Sequence, residues 1–264
     1  MTRLNCYAAE PLGGCLLGRQ QNMERHEHIV SSYEEELSFL NNKVAKMGGL
    51  AERVVGQSLD ALERRDRALA ENTIEQDEVI DALEHQIEDQ AIVMIVKRQP
   101  VAYDLRQVIA PLRVSTDLER IGDLGKNIAK RALAVVSESQ PKQLMLGLKH
   151  MGELVLVQLK DVLDAFMERD ADHALKVWYK DEDIDAMYNS VFRELLTHMM
   201  EDPRNIGLGT HLLFGAKNLE RIGDHATNIA ETVYFLVHGR AINDQRPKGD
   251  VTSTTLVVMR GMAS

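Results

Sequence analysis

Four pairs of acidic residues stand four positions apart in this chain: Asp77 and Asp81, Glu119 and Asp123, Asp181 and Asp185, Glu220 and Asp224. On an α-helix that spacing puts both side chains on one face, a turn apart, so two carboxylates can converge on a single ion. Left to themselves they repel, and the spacing predicts a cation, a proton or an arginine among them. Donors that are all oxygen suit Mg²⁺, Mn²⁺ or iron, and Zn²⁺ also accepts carboxylates. A single Glu-x3-Asp is ordinarily a solvated helix face, and Arg120 and Arg221 offer an ion-pair network as the competing reading. Four pairs at matching places favour metal.

The matching places come from an internal repeat. Leu118-Glu119-Arg120-Ile121-Gly122-Asp123 returns as Leu219-Glu220-Arg221-Ile222-Gly223-Asp224, and each copy runs on to Asn-Ile-Ala at 127–129 and 228–230. Nine of the twelve positions from Leu118 to Ala129 are identical at a constant offset of 101, which chance does not supply. The period is too long for a solenoid unit and implies two copies of one small domain. With Leu118 at the centre of the apolar face, Glu119, Asp123 and Asn127 fall at roughly 100°, 140° and 180°, a stripe beside the core. Gly122 and Gly125 fall on the core face and allow a neighbouring helix to come close.

The elements that position these residues read as helices throughout. Leu37, Leu40, Val44, Met47, Ala51, Val54, Ser58 and Leu62 step by three and four, predicting a helix to about Asp66. Ile80, Leu83, Ile87, Ala91 and Met94 mark a second, ending near Gln99-Pro100. A third starts near Asp104 and runs to the polar break at 137–141. The second unit repeats the plan through Leu148, Val155 and Val162, then Ile184 and Val191, then the helix after Asp202-Pro203. Met47-Gly48 matches Met151-Gly152 and Asp77 matches Asp181, both at an offset of 104. The expected organisation is an extension without periodicity over 1–22, a three-helix bundle over 23–140, a second over 141–239 and a loose tail over 240–264.

Composition narrows the function classes. Aromatics are only 5%, which favours an all-α protein, and a net charge of −10 disfavours a general grip on nucleic acid or anionic lipid. The apolar runs are far shorter than the roughly 20 residues needed to span a bilayer, so no membrane insertion is expected. Both cysteines, Cys6 and Cys15, precede the folded body, which therefore has no thiolate metal site and suits a reducing cytoplasm. Enzyme motifs are missing: there is no phosphate-binding Gly-x4-Gly-Lys, no Gly-x-Ser-x-Gly and no His-Glu-x-x-His. A di-iron carboxylate bundle needs Glu-x-x-His, and none of the nine histidines has a Glu three residues before it. No catalytic residue is assigned. His225 reads as incidental, because Leu124 holds its place in the first copy. Asn127 and Asn228 either support the site or bridge helices. Asp170-x-x-His173 reads as a helix cap, and Trp178 and Tyr179 as packing residues.

The duplicated Leu-Glu-Arg-Ile-Gly-Asp with its Asn-Ile-Ala, the Arg98-Gln99-Pro100-Val101-Ala102 junction and Asp104-Leu105-Arg106 closely resemble the PhoU family of phosphate transport regulators. The resemblance runs from about Met23 to Gly239. It implies two tandem antiparallel three-helix bundles related by a pseudo-twofold axis, in a cytoplasmic and usually dimeric protein. It also implies multinuclear metal clusters on Asp77, Asp81, Glu119 and Asp123 and on Asp181, Asp185, Glu220 and Asp224. The implied role is negative: with phosphate plentiful, the protein links the phosphate ABC transporter, through its ATPase subunit, to a sensor histidine kinase and keeps the phosphate-starvation response off. The competing class is a carboxylate-bundle metal store or metal-dependent catalyst on the same scaffold.

Overall fold

A computed structural model describes the backbone of residues 14–138 and 142–244, and side chains over 32–138 and 144–244. Among the described residues six helices follow one another: α1 Gly14–Arg64, α2 Arg67–Arg98, α3 Tyr103–Ala134, α4 Lys142–Glu168, α5 Ala171–Glu201 and α6 Ile206–His238. A 3₁₀ turn, Pro203–Asn205, precedes α6, and there is no strand among the described residues. Helix α1 starts at Gly14, inside the 1–22 stretch read from sequence as an unstructured extension. From Cys15 to Tyr33 no proline interrupts it, and Leu, Arg, Gln and Glu sustain a helix even without a periodic stripe. Residues 1–13 and most of the 240–264 tail lie outside the described part. Among the described residues, those from Leu40 onward form one compact unit and those up to Phe39 belong to another.

The turns between helices carry the repeat at backbone level. Arg65 and Arg169 both adopt φ 56°, and the next residue in each case, Asp66 or Asp170, caps the following helix. The Asp66 carboxylate accepts the Leu69 N–H at 3.0 Å and that of Asp170 accepts the His173 N–H at 2.9 Å, meeting a donor that the first helical turn otherwise leaves open. Two arginines in the left-handed region, each costing on the order of 1 kcal/mol, persist because the caps and the packing on either side dictate the turn.

Apolar stripes become the cores. Leu40, Val44, Met47, Ala51 and Val54 of α1, Ile80, Ile87 and Ala91 of α2, and Val114, Leu118, Ile121 and Ile128 of α3 are all buried. Their counterparts in α4, α5 and α6, among them Met151, Val155, Ile184, Leu219, Ile222 and Ile229, are buried too. The result is two antiparallel three-helix bundles. A Cβ on Gly48 of α1 would lie 2.8 Å from the Leu163 side chain of α4, and one on Gly152 of α4 would lie 2.3 Å from that of Leu59 in α1. Glycine 48 corresponds to 152 and leucine 59 to 163, so exchanging the copies turns one contact into the other. That reciprocity is the signature of a twofold relation.

Helices α3 and α6 meet antiparallel along the same axis. The Arg113 guanidinium lies 5.1 Å from the centre of the Phe235 ring, and Arg131 lies 4.8 Å from that of Phe214, which ties each end of one helix to the opposite end of the other. Between them Asp117 meets His225 Nδ1 at 2.9 Å and accepts the Asn228 side-chain N–H at 3.3 Å. His225, which sequence alone leaves without a role, joins the two bundles, and Asn228 bridges helices beside it.

Glycine substitutions separate helix propensity from helix approach. Gly49 has no atom within 4 Å of a built Cβ, whereas a Cβ on Gly125 would lie 2.9 Å from the Val54 side chain and 3.3 Å from the Val55 backbone nitrogen. Gly49→Ala is expected to stabilise the fold by about 0.5–1 kcal/mol, and Gly125→Ala to destabilise it because α1 must retreat. Thermal melts of the two variants should therefore move in opposite directions.

Candidate metal centre

The first acidic array forms where α3 crosses α2. Gly122 allows the approach: a Cβ there would be 2.9 Å from Ile80 Cδ1 and 3.0 Å from Asp77 Oδ1. Asp77, on the facing turn of α2, is left only 1% exposed. Its Oδ2 accepts a hydrogen bond from the Lys126 ammonium, which also donates to Asp123 Oδ1 at 2.9 Å, while Asp77 Oδ1 has no hydrogen-bond partner. Glu119 Oε2 is buried without a hydrogen bond and stands 3.3 Å from Arg120 Nε; the same guanidinium reaches Asp123 Oδ2 at 3.8 Å. Lys126 thus joins Asp77 to Asp123, and Glu119 and Asp81 add their charge nearby, but no three of the four predicted ligands bring donor atoms within 4.8 Å of one another. Burial pushes the Asp77 carboxyl above its usual range, the Lys126 contact opposes this, and the charges of Asp81 and Asp123 reinforce it. Burial also raises Glu119, against Arg120 and with Asp123, Glu84 and Asp81. Burial pulls Lys126 down, yet its bonds to Asp77 and Asp123 outweigh that and hold the ammonium firmly protonated.

The second array, where α6 crosses α5, repeats the backbone arrangement with different side chains. A Cβ on Gly223 would lie 3.4 Å from Asp181 Oδ1 and 3.2 Å from Ile184 Cδ1, as Gly122 lies against Asp77 and Ile80. Asp181 and Asp185 are 2% and 3% exposed, Glu220 is buried and Asp224 is partly exposed. Gln158 of α4 also faces this crossing, its Oε1 3.2 Å from the same built Cβ, and neither polar atom of its amide has a hydrogen-bond partner. Lys217 reaches Glu220 Oε1 at 2.8 Å and lies 4.9 Å from the centre of the Tyr188 ring.

Three residues at these crossings go unnoticed in the sequence reading. Lys126 follows Asp123 by three positions and so shares its face, a signal open to inspection. Gln158 is a polar residue on the apolar stripe of α4, between Val155 and Val162. Lys217 stands three residues before Glu220. Asn127, one of the two asparagines considered as support for the site, is exposed. Glu168, Asp170 and His173 bring ligand atoms within 4.8 Å of one another at the α4–α5 turn, but Asp170 is engaged in its cap and both carboxylates are exposed. Trp178 is buried and donates its Nε1–H to Glu231 Oε1 at 3.0 Å; Tyr179 is half exposed and donates its hydroxyl to Asp244 at 2.9 Å.

The PhoU domain model matches residues 44–132 and again 148–233, one match for each three-helix unit. The chain belongs to the PhoU family. It is 54% identical over 229 residues to the Phosphate-specific transport system accessory protein PhoU homolog of Rhizobium meliloti, covering 87% of this chain and 97% of that protein. The Caulobacter vibrioides homolog is 51% identical over 227 residues, covering 86% and 99%. Among solved structures, PhoU from Pseudomonas aeruginosa superimposes with a TM-score of 0.76 at 38% identity, covering 79% of this chain and all of the other. The phosphate transport system regulatory protein PhoU from Streptococcus pneumoniae gives 0.71 at 31% identity, covering 80% and 99%. The two bundles, their order and their duplicated crossings are those of the family.

The raised carboxyls fix how stability responds to pH in metal-free protein. A carboxyl whose folded pKa is raised contributes stability that is complete below the ordinary carboxylate range and is lost as pH rises through the raised value. Asp77, Glu119 and Glu52, the last raised by burial and by Asp164, all have this sign. Asp170 and Asp202 have the opposite one, because the backbone bond from His173 and the side-chain bonds from Arg204 lower them. In the presence of a chelator, the melting temperature is expected to rise as pH falls from about 7 to about 5 and to drop again below about 4. A flat profile between 5 and 7 would show that the buried carboxylates are fully compensated.

Proposed function

We propose that this protein is an accessory regulator of phosphate-specific transport and a negative regulator of the phosphate-starvation response, acting by binding partners rather than by catalysis. The observation that carries the reading is the match of both three-helix units to the PhoU domain, together with relatives named for the phosphate-specific transport system over nearly their whole length. In this reading it works from the cytoplasm as a homodimer, linking the ATPase subunit of the phosphate ABC transporter to a sensor histidine kinase when phosphate is plentiful. No helix among the described residues is long and apolar enough to cross a membrane, which suits a protein that reaches embedded partners from outside the bilayer.

Metal belongs to the same proposal. Asp77, Asp81, Glu119 and Asp123 would hold one centre, and Asp181, Asp185, Glu220 and Asp224 the other. The first array suits a cation on three counts: a buried carboxylate oxygen without a hydrogen bond, a glycine that clears space beside it, and an ammonium already drawn in among the acids. Iron, manganese, magnesium or zinc bound there would supply positive charge that ties α2 to α3 and α5 to α6, making the helix crossings more rigid. Elemental analysis is expected to find metal in the wild type and little in a variant with Glu119→Ala, Asp123→Ala, Glu220→Ala and Asp224→Ala.

Deletion in the native host tests the regulatory reading. With phosphate in excess, the deletion strain should express starvation genes and take up phosphate faster than the parent. Purified protein should bind the kinase or the transporter ATPase subunit in a pull-down with either component. Normal repression in the deletion strain, with no binding to either, would overturn the proposal and favour a metal store or metal-dependent catalyst.

A further inference from the structure

The two acidic arrays share a backbone and differ in charge at several register positions, of which one carries the residue that bridges the helices in the first array. Lys126 of α3 corresponds to Thr227 of α6. The Thr227 hydroxyl donates to the Gly223 carbonyl at 3.0 Å and stays with its own helix. Lys126 instead crosses to α2, binding Asp77 there and Asp123 on α3. We propose that the Lys126 ammonium is the resident counter-ion of the first array, seated where a divalent cation would bridge Asp77 and Asp123, so that metal enters this array only by displacing it. The inference rests on the metal reading above.

Burial and geometry lead to this assignment. Asp77 is 1% exposed, and a carboxylate so placed needs a compensating charge close by. The ammonium supplies it while joining carboxylates from two helices, which is the task of a bridging metal ion. Asp77 Oδ1 still accepts no hydrogen bond, so the carboxylate keeps a lone pair facing the space that Gly122 clears. The remaining charges that face the site are acidic Asp81, Glu84 and Glu119, with Arg120 at the outer edge touching Glu119 and Asp123. Two cations against five carboxylates leave the array negative, so its attraction for a divalent ion persists with Lys126 in place. An exit for the lysine exists: its side chain is 23% exposed, and its four-carbon stem can carry the ammonium to water while the methylenes stay packed.

Calorimetric titration of chelator-treated full-length protein with Mn²⁺, combined with thermal melts, tests the assignment on wild type, Lys126→Thr and the double variant Asp77→Asn with Lys126→Thr. Lys126→Thr installs the residue of the second copy. It is expected to melt below wild type in chelator, and to bind Mn²⁺ about tenfold or more tightly at the first array, because no charge-assisted hydrogen bonds have to be broken. The double variant should lose the gain in affinity, which places the gain at Asp77. If Lys126→Thr does not fold in chelator, recovery of the fold in the double variant supports the counter-ion role, since an amide needs no opposing charge. Equal Mn²⁺ affinity and equal melting in wild type and Lys126→Thr would overturn the inference and leave the metal reading intact. Absence of Mn²⁺ binding in both proteins would overturn the metal reading itself.

Discussion

Carboxylates placed at a helix crossing must be neutralised there, and the architecture around each array follows from that requirement. Gly122 and Gly223 let α3 and α6 approach α2 and α5 so closely that a methyl group on the first would collide and one on the second would press on its neighbours. The same approach takes Asp77, Asp181 and Asp185 out of water. Hydrophobic burial of the isoleucines beside them, Ile80 and Ile184, favours the close approach, while desolvation of the acids opposes it. A positive charge at the crossing reconciles the two. In the first array that charge is visible as Lys126, held by carboxylates of both helices.

Duplication makes the comparison between arrays an internal control. Although Gly125 becomes Ala226, the left-handed arginines, the aspartate caps, the Gly122 and Gly223 crossings and the reciprocal glycine–leucine contacts of α1 and α4 recur in both copies. These are the parts that set helix direction and separation, and a change in any of them would misplace the acids. Side chains that adjust charge or polarity have diverged: Lys126 against Thr227, Val54 against Gln158, Thr116 against Lys217. Backbone geometry is thus common to the copies, and electrostatics is individual to each.

Much of this was legible in the sequence because it is local. Helix faces follow from the spacing of apolar residues, so Ile80, Leu118 and Ile222 are buried as their periodicity requires. The aspartate of Asp170-x-x-His173 needs only its own helix to act as a cap. Lys126 was harder to read, since a lysine three residues after an aspartate is common on solvated helices and only the position of α2 turns it inward. His225 was harder still. Its partner Asp117 lies in the other copy, and no pattern within either repeat aligns the two helices in that register. The upstream start of α1 is illegible for the opposite reason: its residues have good helix propensity but no apolar period to mark a buried face.

The seam between α3 and α6 is notably polar, built around Asp117, His225 and Asn228 with arginines laid on phenylalanines at either end. The Gly48–Leu163 and Gly152–Leu59 contacts of α1 and α4 join the same two bundles through apolar side chains. Here a few residues connect α3 to α4, and so short a tether gives each half an effective concentration for the other of about millimolar or above. Association of modest strength suffices under such a tether. The hydrogen bonds of Asp117 with His225 and Asn228 then serve orientation, since they are made in one register of α3 against α6.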